Sequence, residues 1–225
     1  MGHRSNGTTT SRPGKINKCG IRGRSYGRIG TVAADSRFAA ALRAVIGALN
    51  EIPTPSMIIG GIAVIAAGVP RETIDIDGTV LGRTTRVEDA IEVFERHAIQ
   101  PRIPDALKFA RERQVLLLRH DPSGVTVDIS FAWLPFEEQA LGRALEMTLE
   151  GVAVRVAMPE DLIVYKAAAW RDRDRSDIER LLALHWGQID LQRVRRLVGE
   201  IANALDDAQR LKRFEEIIDK VRHTL

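Results

Sequence analysis

With 225 residues, 44% hydrophobic and 28% charged, the chain can bury a substantial core as one large or two small domains. No apolar run reaches the roughly 18 residues that span a bilayer and the N-terminus lacks the apolar segment of a secretory signal, so no membrane partner is expected and the cytoplasm is the expected location. A single cysteine, Cys19, excludes an internal disulfide and cannot by itself hold a structural zinc.

Charge is uneven along the chain. Residues 1–34 carry seven basic side chains (Arg4, Arg12, Lys15, Lys18, Arg22, Arg24 and Arg28) and no acid, so against a net +3 for the whole the remainder stands at −4. Rich in Gly, Ser and Thr and without apolar periodicity, this segment is expected to be a disordered arm. Positive charge would let it hold nucleic acid through phosphates, although an upstream extension with no role explains the same composition.

Ser36 to Leu49 places Phe38, Leu42, Ile46 and Leu49 at three- and four-residue spacing, which predicts a helix capped by Asp35 or Ser36 and stopped by Pro53 and Pro55. Ser56 to Ile59 reads as a short buried strand running into Gly60-Gly61, and Ile62 to Ala67 as a packed helix ending at Gly68. Glycines at such a turn let the backbone approach a ligand, and the first amides of the following helix point at it with partial positive charge, which suits a triphosphate.

Thr73 to Leu81 is predicted as a strand. Alternation then sends Asp75 and Asp77 to one face and Ile74 and Ile76 into the core. Two carboxylates at that spacing repel each other unless a divalent cation neutralises both. Val87 to His97 follows as an amphipathic helix with Ile91 and Phe94 inward, and then a hairpin, Val115 to Arg119 and Val125 to Ala132, turns at His120-Asp121-Pro122-Ser123-Gly124. Asp128 is a polar residue in its otherwise burial-suited second strand. If that strand lies beside Thr73 to Leu81, three acids meet on one face, enough for two metals or for one metal and an activated hydroxyl.

These residues resemble a known group. Gly60-Gly61-Ile62-Ala63 with Arg71-Glu72-Thr73-Ile74-Asp75-Ile76-Asp77 is similar to the signature of the DNA polymerase β-type nucleotidyltransferase superfamily. The later Val127-Asp128-Ile129, Pro159-Glu160-Asp161-Leu162, Lys166 and Arg171 to Asp177 resemble its AbiEii/AbiGii-type toxin branch, over about residues 56–185. Gly78 departs from the pattern, where a bulkier apolar residue is usual. The resemblance implies an α+β fold, a mixed sheet with flanking helices followed by a helical half, divided as a basic arm (1–34), a sheet domain (35–157) and a helical domain (158–225).

It also implies a reaction: transfer of a nucleoside monophosphate from an NTP to an acceptor hydroxyl, with pyrophosphate released. Asp75, Asp77 and Asp128 would hold two Mg²⁺ or Mn²⁺ ions, and Gly60, Gly61, Arg71, Thr73 and Lys166 would bind the nucleotide. Pro159 to Leu184 reads as one or two helices, and if it is continuous, Lys166, Arg173 and Asp177 share a face. Lys166 then suits the triphosphate, and Asp177, with Asp174 as the alternative, would orient or deprotonate the acceptor. The competing view makes Arg171 to Arg175 a solvated surface with an Arg173–Asp177 pair.

His97, His120, His185 and His223 lack ligand-like spacing, and Trp133, Trp170 and Trp186 suit a core or a stacked base. Leu191 to Val198 and Phe214 to Val221 continue as amphipathic helices, able to shape an acceptor cleft or dock a protein antitoxin. Three functional classes remain open: a toxin-type enzyme acting on tRNA or another macromolecule, a small-molecule nucleotidyltransferase of the antibiotic-modifying kind, and a nucleotide- or partner-binding module without turnover.

Overall fold

The computed structural model describes residues 36–225; the basic arm, Cys19 and Asp35, one of the two expected caps, lie outside the described residues. Among these, seven strands form one mixed sheet in the order β3-β4-β5-β2-β1-β7-β6, so the expected α+β architecture holds. The strands are β1 (Ser56–Ile58), β2 (Asp75–Leu81), β3 (Ile99–Pro101), β4 (Val115–His120), β5 (Thr126–Ala132), β6 (Leu145–Leu149) and β7 (Val152–Val156). β2 lies antiparallel to β1 and parallel to β5, while β7 runs parallel to β1.

The helix α1 (Ser36–Glu51) buries Leu42, Val45, Ile46 and Leu49. Its Leu49 reaches the face of β2 that carries Ile76, Gly78 and Val80. A Cβ on Gly78 would meet the Leu49 and Ile129 Cδ1 atoms at 3.4 and 3.0 Å. Larger neighbours thus fill the space that a bulkier residue takes in the resembling pattern. After α2 (Gly60–Ala66), α3 (Val87–Arg96) buries Phe94 and leaves Ile91 half-buried, and α4 (Ala106–Arg113) and α5 (Pro135–Arg143) flank the sheet.

From residue 159 onward the chain is helical: α6 (Pro159–Ala169), α7 (Asp172–Leu184), α8 (Leu191–Ala204) and α9 (Gln209–Thr224). A buried ionic brace ties it to α5, which flanks the sheet. Arg143 of α5 pairs with Glu160 and approaches Asp161 at 3.3 Å, while Arg193 of α8 holds Asp161 at 2.7 Å. Glu160 also accepts the Asp190 amide at 3.0 Å, just where α8 begins. Buried acids of this kind persist only when paired, because desolvating a lone charge is costly.

One sequence expectation changes, and one open alternative, one helix or two from Pro159 to Leu184, resolves as two. Ile74 does not enter the core: β2 starts at Asp75, so the alternation does not extend back to residue 74, and Ile74 is 84% exposed. The segment from Pro159 to Leu184 is broken, with Trp170 in the left-handed region at φ 55°. Arg210 of α9 donates to the Ala167 and Ala168 carbonyls, both at 2.6 Å, and the Arg210 and Arg213 guanidinium groups lie 6.0 and 5.4 Å from the Trp170 ring. These contacts hold the end of α6 open and offset the strain of a non-glycine residue there. Arg173 is therefore exposed on a separate helix and does not share a face with Lys166.

Candidate active site

β2 and β5 pair in parallel with Asp77 opposite Asp128 and Asp75 opposite Thr126. Residues directly opposite in a ladder project to the same side, so the three carboxylates share one face, with Ile76, Val127 and Ile129 buried on the other. The β-branched, apolar residues between the acids anchor that face. It is the burial of Ile76 and Val127 that turns Asp75, Asp77 and Asp128 the other way.

Each acid has its own donor. The Thr73 hydroxyl donates to Asp75 Oδ1 at 2.9 Å, and the Gly61 amide donates to Asp77. Asp128 Oδ1 takes a guanidinium, with Arg102 Nη1 at 2.6 Å. Burial, and next the negative charges of Asp75 and Asp128, push the Asp77 carboxyl up to about 6; the Lys166 charge and the Gly61 amide oppose that rise. Asp128 is also raised by burial, against which the Arg102 and Arg171 charges act.

The glycine turn is built against these acids. Gly60 has φ +63°, and a Cβ on it would overlap the Asp77 carboxylate; a side chain on Gly61 would overlap Thr73 and come within 3.3 Å of Arg71 Nη2. Both positions exclude side chains, one by backbone conformation as well as by space.

Lys166 is buried in α6, where its Nζ lies 3.1 Å from Asp174 Oδ1 and 3.0 Å from Asp177 Oδ2. Asp177 also takes Arg71, and Asp174 accepts the Arg171 amide at 3.0 Å. Asp177 thus faces Arg71 and Lys166, two cations from other elements, in place of the Arg173–Asp177 pair of the competing view.

The structure brings all nine sequence-singled residues into this region: Gly60, Gly61, Arg71, Thr73, Asp75, Asp77, Asp128, Lys166 and Asp177. It adds Arg102, which the sequence reading left aside, and gives Arg171 a role as a charge acting on Asp128. Of the tryptophans, Trp133 is exposed and Trp170 packs against arginines.

The donor set fits a hard divalent cation. It consists of carboxylate oxygens, and it leaves Asp77 in an excess of negative charge that such an ion would relieve. Among the described residues, no three His, Cys, Asp or Glu side chains are already gathered closely enough to hold a metal, and of the acids on this face Asp128 is the one drawn onto an arginine.

Residues 40–222 match the family model described as "Nucleotidyltransferase of unknown function (DUF6036)". No curated protein matches the sequence. Among solved structures, the solution structure of the antibiotic-resistance factor ANT(2'')-Ia is 18% identical, with a TM-score of 0.51 over 84% of this chain and 100% of that one. The crystal structure of ANT(2'')-Ia in complex with adenylyl-2''-tobramycin is likewise 18% identical, with a TM-score of 0.52 over 76% of this chain and 99% of that one. At that identity the likeness is one of fold.

Proposed function

We propose that this chain, which belongs to the matched family of nucleotidyltransferases, moves a nucleoside monophosphate from an NTP to an acceptor hydroxyl using Asp75, Asp77 and Asp128 as its cation-holding acids. The observation that carries this reading is the shared face of those three carboxylates against a glycine turn that admits no side chain. The acceptor oxygen attacks the α-phosphorus, the bond from that phosphorus to the bridging oxygen breaks, and pyrophosphate leaves while the hydroxyl proton passes to solvent.

Gly60 and Gly61 leave the backbone open to the triphosphate, and Thr73 fixes the rotamer of Asp75 through its hydroxyl. Lys166 and Arg71 supply positive charge toward the phosphates; Asp174 and Asp177 orient those two cations. Asp177 is thereby better suited to positioning than to deprotonating the acceptor. Mg²⁺ or Mn²⁺, two ions in this scheme, would be held by Asp75, Asp77 and Asp128 and would supply charge neutralisation and a more acidic acceptor hydroxyl.

For the acceptor we favour a phosphate-bearing macromolecule such as tRNA, in the manner of the toxin branch, with a protein antitoxin as its counterpart. Beside Asp128, the exposed Arg171 and an Arg102 freed by a bound cation would offer positive charge to phosphates. The antibiotic-type alternative draws on the fold likeness to a protein solved with adenylyl-2''-tobramycin. A division at residues 157/158 is supported by all seven described strands preceding it.

Incubating the protein with each α-labelled NTP, Mg²⁺, and either total RNA or small aminoglycosides tests the reading. Label in RNA supports the favoured acceptor and label in aminoglycosides the alternative. Label in neither, with every NTP tried, overturns both.

A further inference from the structure

A row of residues crosses the sheet at the level of the acids. Asp77 lies opposite Asp128, and Asp128 lies opposite Leu117. Beyond Leu117, the β3–β4 register places Arg102 next in line, since Pro101 pairs with Leu118 and the Arg102 amide donates to the Leu117 carbonyl at 3.1 Å. From the end of that row the Arg102 side chain returns over Leu117 to Asp128.

The resulting pair is unlike the other contacts made by the acids. Asp75 and Asp77 accept from neutral donors, a hydroxyl and an amide. Asp128 accepts from a guanidinium, a full positive charge at 2.6 Å, which occupies the carboxylate in the way a cation would. The side chains of Arg102 and Asp128 are 25% and 35% exposed, open enough to water for one partner to be exchanged for another. Arg102 stands where β3 has ended and α4 has not begun, and its guanidinium has a second acceptor, the Leu118 carbonyl at 3.4 Å.

We infer that Arg102 is a positioning residue that holds Asp128 away from the divalent cation, and that the cation must displace its guanidinium before the third acid can join the other two. This inference rests on the proposed role of Asp128 as a cation-holding acid. Arg102 sets a threshold: the pair Asp75 and Asp77 stays available, while Asp128 is released only when an ion binds strongly enough to outbid a charge-assisted hydrogen bond.

Calorimetric titration of the full chain with Mn²⁺ alone, without nucleotide, reads this directly. Removing the competing charge in Arg102→Gln is expected to tighten Mn²⁺ binding by about 10-fold, the scale of one charge-assisted hydrogen bond, while Arg102→Lys stays near the wild type. The gain disappears when Arg102→Gln is combined with Asp128→Asn and compared with Asp128→Asn alone. An Arg102→Gln protein that binds Mn²⁺ no more tightly than the wild type, or a gain that persists without the Asp128 carboxylate, overturns the inference. Asp77→Asn in the same titration separates the two ideas: if it leaves Mn²⁺ binding unchanged, the acid face itself is misassigned; if it abolishes binding while Arg102→Gln shows no gain, the role of Arg102 alone falls.

Discussion

Two groups of acids in this molecule, one buried and one half-buried, use the same chemistry to opposite ends. At the brace between sheet and helices, burial raises the Asp161 carboxyl, and the neighbouring charges of Arg193 and Arg143 then act to lower it. On the β2–β5 face, burial raises the Asp77 carboxyl, and the neighbouring charges of Asp75 and Asp128 raise it further. One cluster carries its own counterions. The other is short of positive charge, a condition that costs stability in the protein by itself and that a bound cation would relieve. Uncompensated charge on a half-buried face marks the candidate site, where the brace is buried and paired.

That contrast breaks most sharply under substitution. Asp77→Asn is expected to lower nucleotidyl transfer by at least about 10³-fold, because phosphoryl chemistry leans on charge placed for the transition state. The same change should leave thermal stability equal or higher, since it removes a desolvated, repelled charge. Initial rates with labelled NTP and a melting curve measure both. A variant that keeps activity contradicts the site.

Asp161→Ala should do the reverse. It strands Arg193 and weakens the hold on Arg143, so urea unfolding should show a loss of about 3 kcal/mol, with activity per folded molecule retained. If stability is unchanged, the brace is not what docks the helices.

Gly60→Ala lies between the two. The new methyl must adopt positive φ and push on Asp77, for an expected stability loss of about 1–2 kcal/mol and an activity loss of about 100-fold from displaced groups. Equal loss of activity in a variant of unaltered stability would place the effect in the chemistry alone.

The smallest effect is on pH dependence. Asp77 has a folded pKa of about 6 against a reference of 3.8, so between those values the folded state binds the extra proton. Its contribution therefore falls as pH rises from about 4 to 6, by on the order of 2 kcal/mol. Mn²⁺ at saturating concentration should flatten that slope, and Asp77→Asn should remove it. Unfolding free energies at pH 4, 5, 6 and 7 with and without Mn²⁺ measure it, and a slope of the opposite sign rejects the assignment.

How much of this could be read from the chain followed the reach of the interactions. Gly60-Gly61 and Asp75-Ile76-Asp77 were legible because strand alternation and a glycine turn act over a few neighbours. Asp128 was legible as a polar residue in a β-rich run, and its position opposite Asp77 followed once the two strands paired. Arg102 was not, since its place depends on register across β5, β4 and β3. The place of the break at Trp170 was hidden for a similar reason: neither Pro nor Gly marks it, and Arg210 of α9 holds it from forty residues away. The β6–β7 hairpin went unread because its two-residue turn, Glu150-Gly151 at φ 50° and 79°, begins with Glu where Asn or Asp would signal the turn. Ile74 was placed inward by an alternation that starts one residue later.

The central claim is that a cation and a triphosphate meet on the face of Asp75 and Asp77 beside the glycine turn. Anomalous diffraction from crystals grown with Mn²⁺ and a non-hydrolysable NTP analogue tests it most directly. The account predicts a Mn²⁺ peak ligated by Asp75 and Asp77, with the phosphates over Gly60 and Gly61. A fully bound analogue whose phosphates lie elsewhere, or a Mn²⁺ peak that touches neither acid, would contradict it.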